Sequence, residues 1–263
     1  MNVELEGKVV IITGGAASIG LSISKALIEA GAKVVIAARS NEAGEYAVKL
    51  LGDNCKFFQT DIGKDEQLDN LINKTITMYG KIDILVNNAC SYGDEGSATN
   101  RETWLETLNI NVVSAAILGE KLRPYLKESK GNIVNIGSIS GTTAHIGRWA
   151  YPVAKAAMEH LSSSQALDYS EDGIRVNHLR LGHIWSAPFN GLTENNQEHA
   201  NKTTAAYNLV GRVANPEEVA NTVVFIASSK ASYITGAKLN VDGGYSILGP
   251  ERKDPLMRLL SEG

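Results

Sequence analysis

Seven short β-branched runs recur along this chain, separated by longer stretches of helical periodicity. The runs are KVVIIT (8–13), KVVIAA (33–38), KFFQT (56–60), KIDILVN (81–87), GNIVNIG (131–137), GIRVNHL (173–179) and GAKLNVD (236–242). Helical patterns cover 18–30, 42–51, 65–79, 100–127, 150–171 and 216–228. A strand that returns parallel to the one before it needs a crossover, usually a helix, so the alternation commits the chain to right-handed β-α-β units. The first, second, fourth and fifth runs contain near-continuous apolar stretches, as strands covered on both faces do. The expected fold is therefore α/β: a doubly wound parallel sheet of about seven strands flanked by helices. At 263 residues the chain reads as a single domain, with its ligand crevice beyond the carboxyl ends of the strands.

Local signals agree with this plan. NPEEVANTVVFIAS (215–228) opens as a helix should, with Asn as cap, Pro in the first turn and two glutamates at the positive end of the dipole. Two segments break the rhythm. Residues 183–212 are polar with scattered aromatics and follow a strand end; a substrate lid and a surface helical insertion both fit them. The tail 248–263 either frays or docks its Leu and Met residues on a neighbouring subunit.

Charge and cysteine usage exclude several functions. Twenty-five Lys and Arg against 29 Asp and Glu give a net charge of −4, with no basic field for nucleic acid. Cys55 and Cys90 are the only cysteines, too few for a disulfide framework and suited to a reducing cytoplasm. The opening MNVELEGKVV carries acidic residues and no long apolar stretch, so no signal peptide is expected. No window approaches the roughly 20 apolar residues of a membrane span. No His/Cys cluster has metal-ligand spacing, so no metal site is expected.

Between the first strand and first helix lies TGGAASIG (13–20). Gly14 permits the tight turn and Gly20 a close approach, while the helix N-terminus offers unpaired N–H groups to a pyrophosphate. The second strand ends in Ala37-Ala38-Arg39-Ser40, where an acidic residue would accept from ribose hydroxyls; Arg39 instead suits a 2′-phosphate, with Ser40 adding a hydrogen bond. Asp61, after the third strand, either accepts from an adenine amino group or anchors the next helix. NNA (87–89) brings small polar groups to the same crevice.

The reactive groups lie further on. YPVAKAA sets Tyr151 and Lys155 four residues apart, on one face of a helix start. A nearby ammonium favours the phenolate, which lowers a pKa that is ordinarily about 10. Ser138 closes the fifth strand in NIGSISG, and Asn111 lies in NINVVSA on the long fourth-crossover helix.

These motifs together resemble the short-chain dehydrogenase/reductase family over roughly residues 5–247. TGGAASIG, NNA, NIN, GSISG, Tyr151-x-x-x-Lys155 and ITGAKLNVDGGYS occur in the family's order, with Ser138 preceding Tyr151 by 13 residues. The resemblance implies a Rossmann-type sheet, a nicotinamide cofactor and a small-molecule carbonyl or alcohol substrate. It implies Tyr151 as general acid or base, and Lys155 as the group that holds the nicotinamide ribose and depresses the tyrosine pKa. Ser138 would orient the reacting oxygen, and Asn111 would position a water linking Lys155 to solvent. The cofactor would lie along Gly14, Ser18, Ile19, Gly20, Arg39, Ser40, Asp61, Ile62, Asn88, Ala89, Gly182, Ile184 and Ser186, besides Tyr151 and Lys155. Substrate contacts would come from Ser138, Ser140, His145, Tyr151, His183 and Trp185, within walls that include Cys90, Tyr92, Trp149, Phe189 and Tyr207. A homo-oligomer, a tetramer or dimer, is expected through helices 100–127 and 150–171.

The sequence departs from the family pattern at Ser18 for the middle glycine, Cys90 for the glycine after NNA, and Leu181 for the proline of Pro-Gly. Ser186 replaces a threonine and keeps the hydroxyl. Ala38 followed by Arg39 resembles the NADP-preferring pattern, so NADP(H) is expected over NAD(H). Aromatic walls suit a cyclic or aromatic carbonyl. Against an oxidoreductase stand a non-catalytic NAD(P)-sensing protein on the same fold and an epimerase or dehydratase that recycles its cofactor; the four reactive residues argue against the first and the chain length against the second.

Overall fold

The computed structural model describes residues 5–249; the part of the tail beyond Gly249 lies outside the described residues. Seven strands form one parallel sheet in the order β3-β2-β1-β4-β5-β6-β7. They are β1 (Val9–Thr13), β2 (Lys33–Ala38), β3 (Cys55–Gln59), β4 (Ile84–Asn87), β5 (Asn132–Ser138), β6 (Arg175–Leu181) and β7 (Lys238–Val241). Helices α1 (Ser18–Glu29), α2 (Asn41–Leu51) and α3 (Asp65–Tyr79) form the crossovers of the first half. The second half is crossed by α4 (Arg101–Leu108), α5 (Ser114–Ser129), α6 (Ala150–Asp168) and α9 (Pro216–Ala227). Strand order reverses between β1 and β4, which opens the crevice there.

Side chains of β1 and β2 alternate between two cores. Val10, Ile12, Val34 and Ile36 pack with α1 and α9, whereas Ile11, Val35 and Ala37 pack with α3 and α5. Each strand is thus covered on both faces, as its continuous apolar run requires.

The expected helix 100–127 is not one helix. Asn109–Val113 forms a π turn between α4 and α5, with both the backbone N–H and the hydroxyl of Ser114 satisfying the Asn109 carbonyl. Three other boundaries move inward: α6 ends at Asp168, β4 begins at Ile84 and β7 at Lys238. The excursion 183–212 is helical, holding α7 (Ala187–Leu192) and α8 (Gln197–Thr204). Among the described residues no helix is long and apolar enough to cross a membrane. Leu105, Val113, Val153 and Leu167 stand exposed along α4, the π turn and α6.

Candidate active site

The carboxyl ends of β4, β5 and β6 enclose a cavity of about 160 Å³ lined by Asn88, Cys90, Tyr92, Ser138, Tyr151, Lys155, Gly182 and Ser186, with Pro188 and Phe189 of α7 as one wall. Ser138 stands at the last position of β5 and hydrogen-bonds the Tyr151 phenol. Its oxygen also accepts from the Ser140 N–H at 3.1 Å, which fixes the hydroxyl. Lys155, almost wholly buried, points its Nζ under the ring of Tyr151, 5.6 Å from the centroid, and donates to the Ile136 carbonyl at 2.9 Å.

Burial, then the neighbouring Cys90, push the Tyr151 phenol above the ordinary tyrosine value; the Ser138 hydrogen bond and the Arg148 charge pull the other way and lose. The expected depression by Lys155 is corrected here. Burial outweighs the stabilisation that the nearby ammonium, which also donates to the Ile136 carbonyl, offers the phenolate, so the phenol remains protonated at neutral pH.

The glycine turn has the shape of a phosphate cradle. Gly14 adopts φ +66°, and a Cβ at Gly20 would fall 2.1 Å from the Gly14 carbonyl oxygen. Asn88 donates its amide to the Thr13 and Gly14 carbonyls, each at 3.0 Å, so β4 braces the turn. No side chain caps α1 and no acid lies in its first turn, leaving its N–H groups available to an anion. Ser18 takes φ +50°, the left-handed region that suits the glycine it replaces, and its hydroxyl accepts from the Ala187 N–H at 3.3 Å. Arg39 is exposed and pairs with no carboxylate among the described residues. These residues fit a nicotinamide dinucleotide: a turn for the pyrophosphate, a free cation beyond β2, and Asn88, Ile19, Gly182, Ile184 and Ser186 along the crevice. Gly182 is obligatory, since a Cβ would meet the Asp242 backbone at 2.6 Å.

Several expected residues stand elsewhere. Asn111 is buried with both ends of its amide on Ser91, accepting at 2.7 Å and donating at 2.9 Å, which ties the π turn to the segment after β4. Ile62 belongs to the core, while Ala89 packs against that core. Asp61 accepts from the Gly63 N–H within its own turn, and Lys64, not Asp61, precedes α3. Ser40 caps α2. Ser140, His145, His183 and Trp185 do not line the cavity. His183 lies edge-on to Phe189, Tyr207 and Tyr245, and burial lowers the pKa of both His183 and His145. Trp149 is exposed at the cap of α6.

Asp94 is a residue that sequence reasoning missed. It accepts from the Trp149 and Tyr151 N–H groups at 2.7 and 2.8 Å. The spacing to α6 gives no signal, because the contact joins residues 57 apart. A larger cleft of about 380 Å³ opens at the other end of the sheet by Lys8, Asp83 and Arg175. Two of its cations are already engaged: Lys8 on Asp83, Arg175 on the carbonyls of Ile226, Ser228 and Ile234.

Known proteins resemble this chain in sequence and fold. A family model described as enoyl-(acyl carrier protein) reductase matches residues 14–246. A 3-oxoacyl-(acyl-carrier-protein) reductase of Vibrio cholerae is 33% identical over 92% of this chain and 98% of its own length. An L-fucose dehydrogenase of Bos taurus is 33% identical, covering 96% and 94%. The structure of L-sorbose reductase from Gluconobacter frateurii, complexed with NADPH and L-sorbose, superposes with a TM-score of 0.86 at 29% identity, over 93% of this chain and 98% of that one.

Proposed function

The chain belongs to the short-chain dehydrogenase/reductase family of oxidoreductases, and from that premise we propose that it interconverts a cyclic carbonyl and its secondary alcohol with NADP(H). The observation that carries this reading is the convergence of Ser138, Tyr151 and Lys155 on one cavity at the carboxyl ends of the strands. A nicotinamide cofactor supplies or takes the hydride when bound; Gly14, Gly20 and the α1 N-terminus would hold its pyrophosphate and Arg39 its 2′-phosphate.

The chain's own residues handle the proton. A carbonyl oxygen between Ser138 and Tyr151 receives a hydrogen bond from each. The phenol, held protonated by burial, passes its proton to that oxygen as negative charge develops, so reduction is the direction favoured at neutral pH. Oxidation needs the phenolate and rises toward alkaline pH. Lys155 lies under the ring and stabilises the negative charge the phenol acquires.

Tyr92, 53% exposed and stacked on Tyr151 at 5.3 Å, offers a flat face to a substrate ring. Sugars belong among the candidates, because the L-fucose dehydrogenases and the L-sorbose reductase act on them. A sensor without chemistry has no use for a buried phenol hydrogen-bonded to a serine.

The test is a panel of cyclic, aromatic and aliphatic ketones and sugars, followed by reduced-nicotinamide absorbance with NADPH and NADH. Turnover with a cyclic carbonyl and a preference for NADPH are expected. Tyr151→Phe should lower kcat by about 100- to 10,000-fold while cofactor binding persists. Full kcat in Tyr151→Phe removes the assigned acid; a preference for NADH removes the role of Arg39.

A further inference from the structure

Tyr151 is the second residue of α6, and a helix start leaves backbone N–H groups that need acceptors. The residue at the cap position, Trp149, has no side chain that can accept. The acceptor comes from the segment after β4. One carboxylate oxygen of Asp94 accepts from the Trp149 and Tyr151 N–H groups at 2.7 and 2.8 Å. The other accepts from the Gly96 N–H at 2.9 Å and the Thr99 hydroxyl at 3.1 Å. Arg148 closes the loop, donating to the Asp94 backbone carbonyl at 2.8 Å.

Four donors converge on one side chain, and only an ionised carboxylate is acceptor-only on both oxygens. Asp94 is 6% exposed. Burial alone would raise its pKa, but the N–H groups of Trp149, Tyr151 and Gly96 together outweigh burial and hold it below the usual carboxylate range. Two residues earlier, Tyr92 stacks on the Tyr151 ring with an interplanar angle of 24°. One short segment therefore holds the backbone of Tyr151 at one end and its ring at the other.

We infer that Asp94 is a positioning residue: by capping α6 from across the crevice it fixes where the Tyr151 hydroxyl points relative to Ser138. The inference rests on Tyr151 as the proton donor of the proposed reaction. Its size follows from orientation, since displacement of a reacting group by about 1 Å can cost about 100-fold.

The experiment compares wild type, Asp94→Ala, Asp94→Asn and Tyr92→Leu. Asp94→Ala should lower kcat about 100-fold, with KM and NADPH affinity within about twofold. Asp94→Asn keeps one acceptor oxygen and should recover part of the loss, about tenfold below wild type. Asp94→Asn keeps the assay decisive if Asp94→Ala fails to fold; Tyr92→Leu removes the stack on the Tyr151 ring and, because Tyr92 also lines the cavity, should raise substrate KM as well as lower kcat. A kcat within about twofold of wild type in both Asp94 variants overturns the inference. So does a loss of NADPH affinity equal to the loss of kcat, because that marks a cap serving the fold alone.

A second measurement needs no substrate. The tyrosinate absorbance of each protein is titrated against its Tyr151→Phe counterpart. Burial holds the Tyr151 phenol above the ordinary tyrosine value in wild type, and loosening the ring from that buried place by removing Asp94 should bring its titration down toward the ordinary value of about 10. Identical titrations overturn the inference. Absence of turnover with every carbonyl would instead fail the proposed reaction, and the titration would still decide on Asp94.

Discussion

On the β1-β2-β3 side the interior is almost wholly apolar: Ile11, Ile12, Val34, Val35 and Ile36 are fully buried, and the one thiol there, Cys55, is pushed up to about 11 by burial and kept inert. On the β4-β5-β6 side a chain of polar groups runs through the core. Asn87 donates to Asn135 at 2.8 Å, Asn135 donates to Ser162 at 2.9 Å, and Ser162 lies 3.3 Å from His178 Nδ1. Beside it Arg180 grips Glu159 with two bonds of 2.6 Å, joined by Lys238 at 3.2 Å. Apolar packing excludes water but tolerates small slides; hydrogen bonds are directional and fix register. The half that carries Ser138, Tyr151 and Lys155 is the half built from directional bonds. The half that offers the glycine turn works through backbone shape.

The contrast can be broken at its strongest point first. Asn135→Leu leaves the buried Asn87 amide N–H without its acceptor, while Ser162 keeps the Met158 carbonyl and His178, and should cost about 3 kcal/mol, the upper end of roughly 1–3 for one stranded group. Ile36→Leu on the other side should cost less than about 1.5 kcal/mol. Equal losses in urea unfolding would erase the distinction.

Acid is the next lever. Burial, the larger cause, takes His178 down from 6.5 to about 4 against the pull of Glu159. The unfolded chain therefore binds a proton that the folded one refuses. Stability is complete above about pH 6.5 and falls as pH drops toward 4, by about 3 kcal/mol over the window. Glu159, held at about 2 chiefly by Arg180, adds a further loss only below about pH 4.5. Unfolding free energies at pH 7.5 and 5.0 check this, and His178→Gln should flatten the upper part. A wild type equally stable at both would refute it.

The smallest effect sharpens the apolar side. Ser18 holds a left-handed conformation, so Ser18→Gly should gain about 1 kcal/mol, offset slightly by the lost contact to Ala187. A loss in the same assay would show that the contact outweighs the strain.

Which features were readable follows from the range of the forces involved. β-branched runs and helix caps are local, so all seven strands and the principal helices are visible in KVVIIT and its successors. The glycine turn is legible because Gly14 and Gly20 answer to their own backbone. Asp94 was invisible because its partners are Trp149 and Tyr151, which only the folded crevice brings near. The direction of the Tyr151 shift was misread for the same reason. Four-residue spacing places Lys155 beneath the ring, but the burial that outweighs its charge comes from segments distant in sequence, Cys90 and Tyr92 among them. NINVV at Asn109–Val113 is all Asn and β-branched residues, poorer helix formers than its flanks, but low propensity does not tell a π turn from a continuous helix.

That π turn carries one residue more per turn than the helices around it. Each residue of a helix sweeps about 100°. Excising a single amino acid between Leu108 and Ser114 would therefore let four residues at that angle do the work of five, fuse α4 and α5 into one continuous rod with their faces kept, and withdraw Asn111 from Ser91. Here chain length itself is the variable under constraint: one residue too few would spare both rods and still unseat the wall of the crevice between them.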